Sequence, residues 1–255
     1  MAGKWRDLAP RVASAAVLVV LALGAAWAGL TVWALLVAVA CGLMTWELSR
    51  LHGAGDSAAA LPGLLVTGAV LPMLGPVGAV QVVLLVVAAL AGLAVVSRDR
   101  LVQVLYTAAI LATGLLAIWL YRDAQRMLVF LLLVVIVTDI MGYFVGKLMG
   151  GPKFWPRISP KKTWSGTIGG WVGAGVVGAA FASDGWFVVP LAVLMSFAAQ
   201  MGDIAESAMK RRADVKDSSG LIPGHGGVMD RFDGIVGASA VLFLVFLTGL
   251  FGAAP

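Results

Sequence analysis

Charge is scarce in this chain. Only 12% of its 255 residues are Asp, Glu, Lys or Arg, against about 25% in an ordinary soluble domain. With 61% hydrophobic residues, it has too few polar side chains to cover a water-soluble globule and too little charge for a disordered one. Cysteine is nearly absent, and Cys41 stands alone inside an apolar run. One thiol makes neither an internal disulfide nor a cysteine-based zinc site, so Cys41 reads as a small buried hydrophobe. Period-2 alternation is missing too, which disfavours a transmembrane barrel.

What the chain has instead is apolar runs. Nine can be read, at approximately 11–28, 30–48, 61–76, 78–96, 104–120, 127–147, 167–183, 186–205 and 234–251. Each is near the length that crosses a hydrocarbon core about 30 Å thick at about 1.5 Å per residue. Lipid cannot satisfy backbone polar groups, so runs of this kind are helices. The expected fold is all-α: one polytopic integral membrane domain over 1–255 with about nine transmembrane helices. Lys4, Arg6 and Arg11 before the first run, with Ala26-Trp27-Ala28 after it, imitate a signal peptide. An uncleaved first helix fits better, because the apolar sequence resumes at Trp33. Assigning the loops to alternate sides puts 16 of the 18 basic residues on the side of the N-terminus and only Arg122 and Arg126 opposite. The positive-inside rule then makes the N-terminus cytoplasmic. It also accounts for the net charge of +5 without a nucleic-acid partner.

Two inner loops, 147–166 and 206–233, together hold ten of the 18 basic residues. They are the expected active-site loops. The stretch 202–233 also holds six of the 13 acidic residues. Asp203, Ser207 and Lys210 follow a spacing of i, i+4 and i+7, which puts them on one helix face. Asp203 ends an apolar run, where a carboxylate is costly without a partner. Asp230 and Asp233 open the last run. Between them and Lys216 lies a loop with four glycines, Gly220, Gly224, Gly226 and Gly227, around His225. Glycines let backbone N–H groups approach a phosphate closely. Carboxylates, backbone donors and lysines together suit a metal-bound polyphosphate, with Mg²⁺ the cation that hard oxygen ligands favour. The competing reading is a solvated basic loop with Asp230 as a simple helix cap.

Residue by residue, the stretch resembles the signature of the bacterial phosphatidate cytidylyltransferase (CDP-diglyceride synthase) family. It carries Ser207, Met209, Lys210, Arg211, Lys216, Asp217, Ser219, Ile222, Pro223, His225, Gly226, Gly227, Val228, Asp230, Arg231 and Asp233, so every fixed position matches over 27 residues. A second block, Ile158-Ser159-Pro160-Lys161-Lys162-Thr163-Trp164, is similar to the family's lysine loop. Asp139 and Tyr143 resemble its intramembrane acidic segment. Two departures stand out. Ser165 replaces the family's usual Glu, and the usual small residues are missing after Asp139.

The resemblance implies transfer of the cytidylyl group from CTP to phosphatidate, releasing pyrophosphate, in the bacterial cytoplasmic membrane. It implies Asp203 and Asp230 as Mg²⁺ ligands, alone or in a two-metal centre. Catalytic roles fall to Asp203, Asp230, Lys210, Lys216 and His225. Substrate-binding roles fall to Ser207, Arg211, Lys161, Lys162, Gly226, Gly227, Arg231 and Asp139. CTP, phosphatidate and membrane lipid are the implied partners, with a homodimer as the implied assembly. Each role has a plainer competitor. Lys161 and Lys162 could serve only as contacts to anionic lipid, His225 as a brace of the glycine turn, and Asp139 as a structural group. Glu47 and Arg50 read as a helix-end pair at i, i+3, and His52 as an ordinary loop residue. The alternative functions are a CTP-dependent lipid-alcohol kinase, disfavoured by the complete signature, and a transporter or channel, disfavoured because no helix carries a polar stripe along its length.

The charge split makes a topological prediction. A reporter fused after Pro255 is expected outside the cell and one inserted near Ser218 in the cytoplasm. A cytoplasmic C-terminus would make the number of crossings even and overturn the nine-helix reading.

Overall fold

The computed structural model describes residues 8–74 and 78–248. Lys4 and Arg6, counted above, and Pro255 lie outside the described residues. Each of the nine apolar runs becomes a helix. In chain order they are α1 (Leu8–Ala28), α2 (Leu30–Leu51), α3 (Asp56–Val70), α4 (Ala79–Ala91), α5 (Arg100–Asp123), α6 (Gln125–Met149), α7 (Trp164–Ala180), α8 (Val188–Arg212) and α9 (Met229–Leu247). Among the described residues, α2, α5, α6 and α8 are long and apolar enough to cross a membrane. Apolar side chains stay exposed in part on these helices, as with Leu35 of α2 and Leu105 of α5, and also on α1 with Val20 and Leu23 and on α4 with Val80 and Val83. Such surface suits lipid rather than water.

The chain divides into two compact units, one of Met1–Arg122 with Arg212–Arg231 and the other of Asp123–Arg211 with Phe232–Pro255. In the first, Trp33 of α2 stacks on Tyr121 of α5 with ring centroids 5.3 Å apart. The Trp33 indole donates to the Ala117 carbonyl at 3.0 Å, and the Tyr121 hydroxyl to Ala26 of α1 at 2.6 Å. A polar knot closes the end of α2. Gln103 of α5 donates to Ser49 at 3.0 Å and meets His52 Nδ1 at 2.9 Å, while Arg98 donates to the Leu51 carbonyl at 2.8 Å. His52 is therefore buried, at 1% exposure, and corrects the reading of an ordinary loop residue. Lone histidines show no period, so sequence carried no sign of Gln103 as a partner.

In the second unit, α6 and α7 come close through glycine, the packing that small residues permit between membrane helices. A Cβ on Gly166 would lie 2.5 Å from the Gly142 carbonyl oxygen. Polar groups fasten the helices further. Thr138 of α6 donates to Ser196 of α8 at 2.8 Å, and Trp171 and Gln200 bridge α7 and α8 at 3.1 Å. Between α6 and α7 runs an antiparallel hairpin of β1 (Lys153–Trp155) and β2 (Ser159–Thr163), with Lys153 opposite Thr163 and Trp155 opposite Ser159. Strands of three and five residues are too short to show alternation, so they escaped the sequence reading. Phe154 packs edge-on against Trp164, centroids 4.6 Å apart. Thr163 caps α7 by accepting from Gly166 N at 3.2 Å.

Burial is the main influence on His52 and lowers its pKa from 6.5. The fold disfavours the protonated ring, while an unfolded chain takes up a proton below 6.5. Stability then falls as the pH drops from that value towards the folded pKa. In detergent, the thermal midpoint is expected to decrease between about pH 7 and pH 5.5, and His52→Gln is expected to flatten that decrease. An equal pH dependence in both proteins would overturn the assignment.

Candidate active site

Within the second unit, the ends of α6 and α8, the hairpin and the start of α7 enclose a cleft of about 560 Å³, a size typical of small-molecule sites. Four lysines line it, Lys147, Lys153, Lys161 and Lys162, together with Asp139, Tyr143, Gln200 and Asp203. Lys162 lies 2.5 Å from Asp203 Oδ2 and donates to the Gln200 carbonyl at 3.5 Å. Lys161 is exposed. Lys147 donates to the Tyr143 hydroxyl at 3.4 Å. Ser165, which replaces the family's Glu, donates to the Gly150 carbonyl at 2.5 Å and meets Thr163 Oγ1 at 3.1 Å. Its short side chain joins the foot of the hairpin to the segment after α6.

Asp203 also belongs to an acidic cluster. Oxygens of Asp203, Glu206 and Asp233 lie within 4.8 Å of one another. Three carboxylates this close form the hard oxygen set that Mg²⁺ or Ca²⁺ takes, so the residues fit a divalent cation. Ser207 donates to Asp203 Oδ1 at 3.3 Å, and Lys210 pairs with Glu206 at 2.5 Å. The expected face of Asp203, Ser207 and Lys210 is thus real, but Lys210 is held by Glu206. Glu206 was missed. Its position three residues after Asp203 and four before Lys210 was the available signal. Helix α8 runs on to Arg212, so the first seven residues of the stretch 206–233 are helical. Arg211 is exposed on it.

The rest of the signature belongs to the first unit. Residues 222–226 form a tight turn, with Ile222 N donating to Gly226 O at 2.8 Å and Gly226 N to Ile222 O at 3.1 Å. The Gly226 φ of +86° suits glycine. His225 Nδ1 lies 2.6 Å from Ser14 Oγ of α1, and Ser14 also donates to the Pro223 carbonyl at 3.0 Å. Arg231 donates to the His225 carbonyl at 2.8 Å. His225 and Arg231 therefore brace the turn, and Ser14 is a second residue that sequence reasoning missed. Lys216 is exposed. Asp230 Oδ2 accepts from Ser218 N at 2.8 Å, Ser218 Oγ at 2.9 Å and Gly227 N at 2.7 Å. This carboxylate, expected as a metal ligand, organises the loop.

Glu47 does the same from farther away. Its side chain accepts from Ser219 Oγ at 2.5 Å, Ser218 Oγ at 3.1 Å, Val228 N at 2.9 Å and Met229 N at 2.7 Å. The expected pair of Glu47 with Arg50 is corrected: Arg50 bonds Asp56 at 2.6 Å and lies over the Trp46 ring. Arg50 is partly solvated, whereas four donors await a carboxylate at Glu47, and the donors win.

Comparison with known proteins points to one family. A profile of the cytidylyltransferase family matches residues 9–249. The chain is 53% identical over 122 residues to a phosphatidate cytidylyltransferase of Brucella abortus (strain 2308), covering 46% of this chain and 45% of that protein. It is 44% identical over 120 residues to the phosphatidate cytidylyltransferase of Bacillus subtilis (strain 168), covering 45% and 44%. The match to that of Rickettsia bellii (strain RML369-C) is 39% over 126 residues, covering 45% and 54%. The matched stretch thus spans about half the length of these relatives.

The loop geometry predicts a contrast between two glycines. A Cβ on Gly227 would overlap Ser218 Oγ and the Glu47 carboxylate, whereas a Cβ on Gly220 meets nothing within 4 Å. Gly227→Ala is expected to destabilise the protein by roughly 1–3 kcal/mol, the usual cost of overpacking, and Gly220→Ala to leave it unchanged. Equal thermal midpoints for the two variants would contradict the geometry.

Proposed function

The chain belongs to the cytidylyltransferase family, and on that premise we propose that it transfers the cytidylyl group of CTP to phosphatidate, yielding CDP-diacylglycerol and pyrophosphate. The observation that carries this reading is the cleft, where four lysines meet Asp139 and Asp203. Both substrates are phosphate anions, and one reacts with the other. Their mutual repulsion is the obstacle that fixed positive charge removes.

A phosphate oxygen of the lipid forms the new bond to the α-phosphorus of CTP. The bond from that phosphorus to the bridging oxygen breaks, and the electron pair leaves with pyrophosphate. The attacking oxygen is already anionic at neutral pH, so no strong base is needed and alignment is the main task. Lys161 and Lys162 neutralise phosphate in the cleft, with Lys147 and Lys153 beside them. Lys210, Arg211 and Lys216 provide further cationic contacts. Asp203, Glu206 and Asp233 would hold the cation, with Mg²⁺ the ion of choice and Asp230 a further candidate ligand; when bound, it supplies charge neutralisation at the phosphates. Ser207 orients Asp203. Gly226, Gly227, His225 and Arg231 set the shape of the loop, and Asp139 faces the substrates. Phosphatidate presents its phosphate at headgroup level and CTP is soluble, so the cleft serves both at the cytoplasmic interface. Nine crossings with the N-terminus inside, a bacterial cytoplasmic membrane and a homodimer complete the proposal. Nine helices among the described residues and the charge split support the crossings.

The test uses purified protein in micelles with phosphatidate and CTP labelled at the α- or γ-phosphate. Label from the α position is expected in the lipid. Label from the γ position would mean a lipid kinase and overturn the proposal. Chelation should abolish transfer and Mg²⁺ restore it. Asp203→Asn and Asp230→Asn are each expected to lower turnover by about 100-fold or more, the scale of a lost electrostatic contact in an active site. Near-normal turnover in folded variants would remove those residues from the mechanism.

A further inference from the structure

Glu47 lies one turn from the end of α2 and is completely buried. No part of the signature lies near it in sequence. Yet its carboxylate gathers two hydroxyls and two backbone amides from Ser218, Ser219, Val228 and Met229. The two amides stand at the start of α9, where helix N–H groups have no partner within the helix. An anion there is favourable. Glu47 thus serves as a helix cap delivered from another helix.

Its link to Asp230 is more specific. Ser218 Oγ lies 3.1 Å from Glu47 Oε2 and 2.9 Å from Asp230 Oδ2. A hydroxyl carries a single proton, so two carboxylates are held about one serine that can donate to only one of them at a time. Gly227 donates to Asp230 and leaves no room for a Cβ beside Glu47. The positions of the two acidic groups are therefore tied through Ser218 and Gly227.

We propose that Glu47 is a positioning residue for the transfer reaction, setting the conformation of residues 217–230 and the placement of Asp230 through Ser218. The proposal rests on the functional reading above. An acceptor-only group matches four donors. An amide at this place would set its own N–H₂ against backbone N–H groups, and the loop would have to move. An apolar side chain of similar bulk would leave these buried donors unsatisfied, a cost that bulk alone does not offset.

The experiment compares the full-length protein with Glu47→Gln, Glu47→Asp and Ser218→Ala, reading amide hydrogen exchange over 217–230 alongside kcat and the KM for CTP. Glu47→Gln is expected to speed exchange at Val228 and Met229 by about tenfold and to lower kcat per folded molecule by about tenfold, a barrier change of about 1.4 kcal/mol. The KM for CTP should stay within about threefold. Glu47→Asp keeps the charge and should recover part of kcat. Ser218→Ala leaves Glu47 three donors and cuts the link to Asp230, so it should lower kcat while the folded fraction is retained. Wild-type kcat in Glu47→Gln, or a loss that only tracks the unfolded fraction while loop exchange is unchanged, would overturn the proposal. Absence of transfer by the wild-type protein would instead overturn the functional reading and this role with it, leaving exchange as the measure of the tie to the loop.

Discussion

Hydrocarbon offers no hydrogen bonds, and the rest of this structure follows from that. A backbone placed in lipid must satisfy its own N–H and C=O groups, so the apolar runs become helices. Charged side chains must gather where helices end. In the second unit they do so around the ends of α6 and α8, where lysines from the hairpin and aspartates from the helices share a cleft. In the first unit the same pressure gives the end of α2 its knot of Ser49, His52 and Gln103. Polar groups inside the helices are bonded across helices, as with Thr138 and Ser196.

Charge pairing then gives the site its chemistry. Lys162 is held by Asp203, and Lys210 by Glu206. Neither lysine is a loose surface charge, since Lys210 is only 9% exposed. Side chains fixed in this way would lose less freedom on binding a phosphate, and a preorganised field is what the proposed reaction between two anions requires. The family signature thus has a physical sense. Its lysine and arginine supply charge, its acidic residues balance that charge, and its glycines allow carboxylates to come against the backbone.

The sequence was informative where information is local. Nine apolar runs mark nine helices among the described residues, but their ends are less well marked. The run read as 186–205 continues to Arg212, because Glu206, Met209, Lys210 and Arg211 favour helix though they end the apolar stretch. The signature pointed to Asp233 of the acidic cluster and to the glycine loop, and the lysine block to Lys161 and Lys162 of the cleft, but neither pointed to Glu206. Nor did they point to Ser14 or to the partners of Glu47. Those contacts join residues 209–211 and 171–182 positions apart, and no periodicity reaches across such distances. Arg50, three residues on, was the nearest cation to Glu47, but a half-exposed arginine is a weaker claimant than four converging donors.

The tie between Glu47 and the loop also has a history within each molecule. Its partners begin 171 residues later in the chain. At a synthesis rate of about 5–20 residues per second, α2 exists for roughly 10–30 s before Ser218 emerges. For that interval the carboxylate has none of its final donors. A glutamate at the middle of a membrane helix would face hydrocarbon throughout the delay. Glu47 stands one turn from the helix end, within reach of water and headgroups. Its place along α2 therefore suits biosynthesis as well as the finished fold: the anchor is made first, and its donors arrive with the last loop.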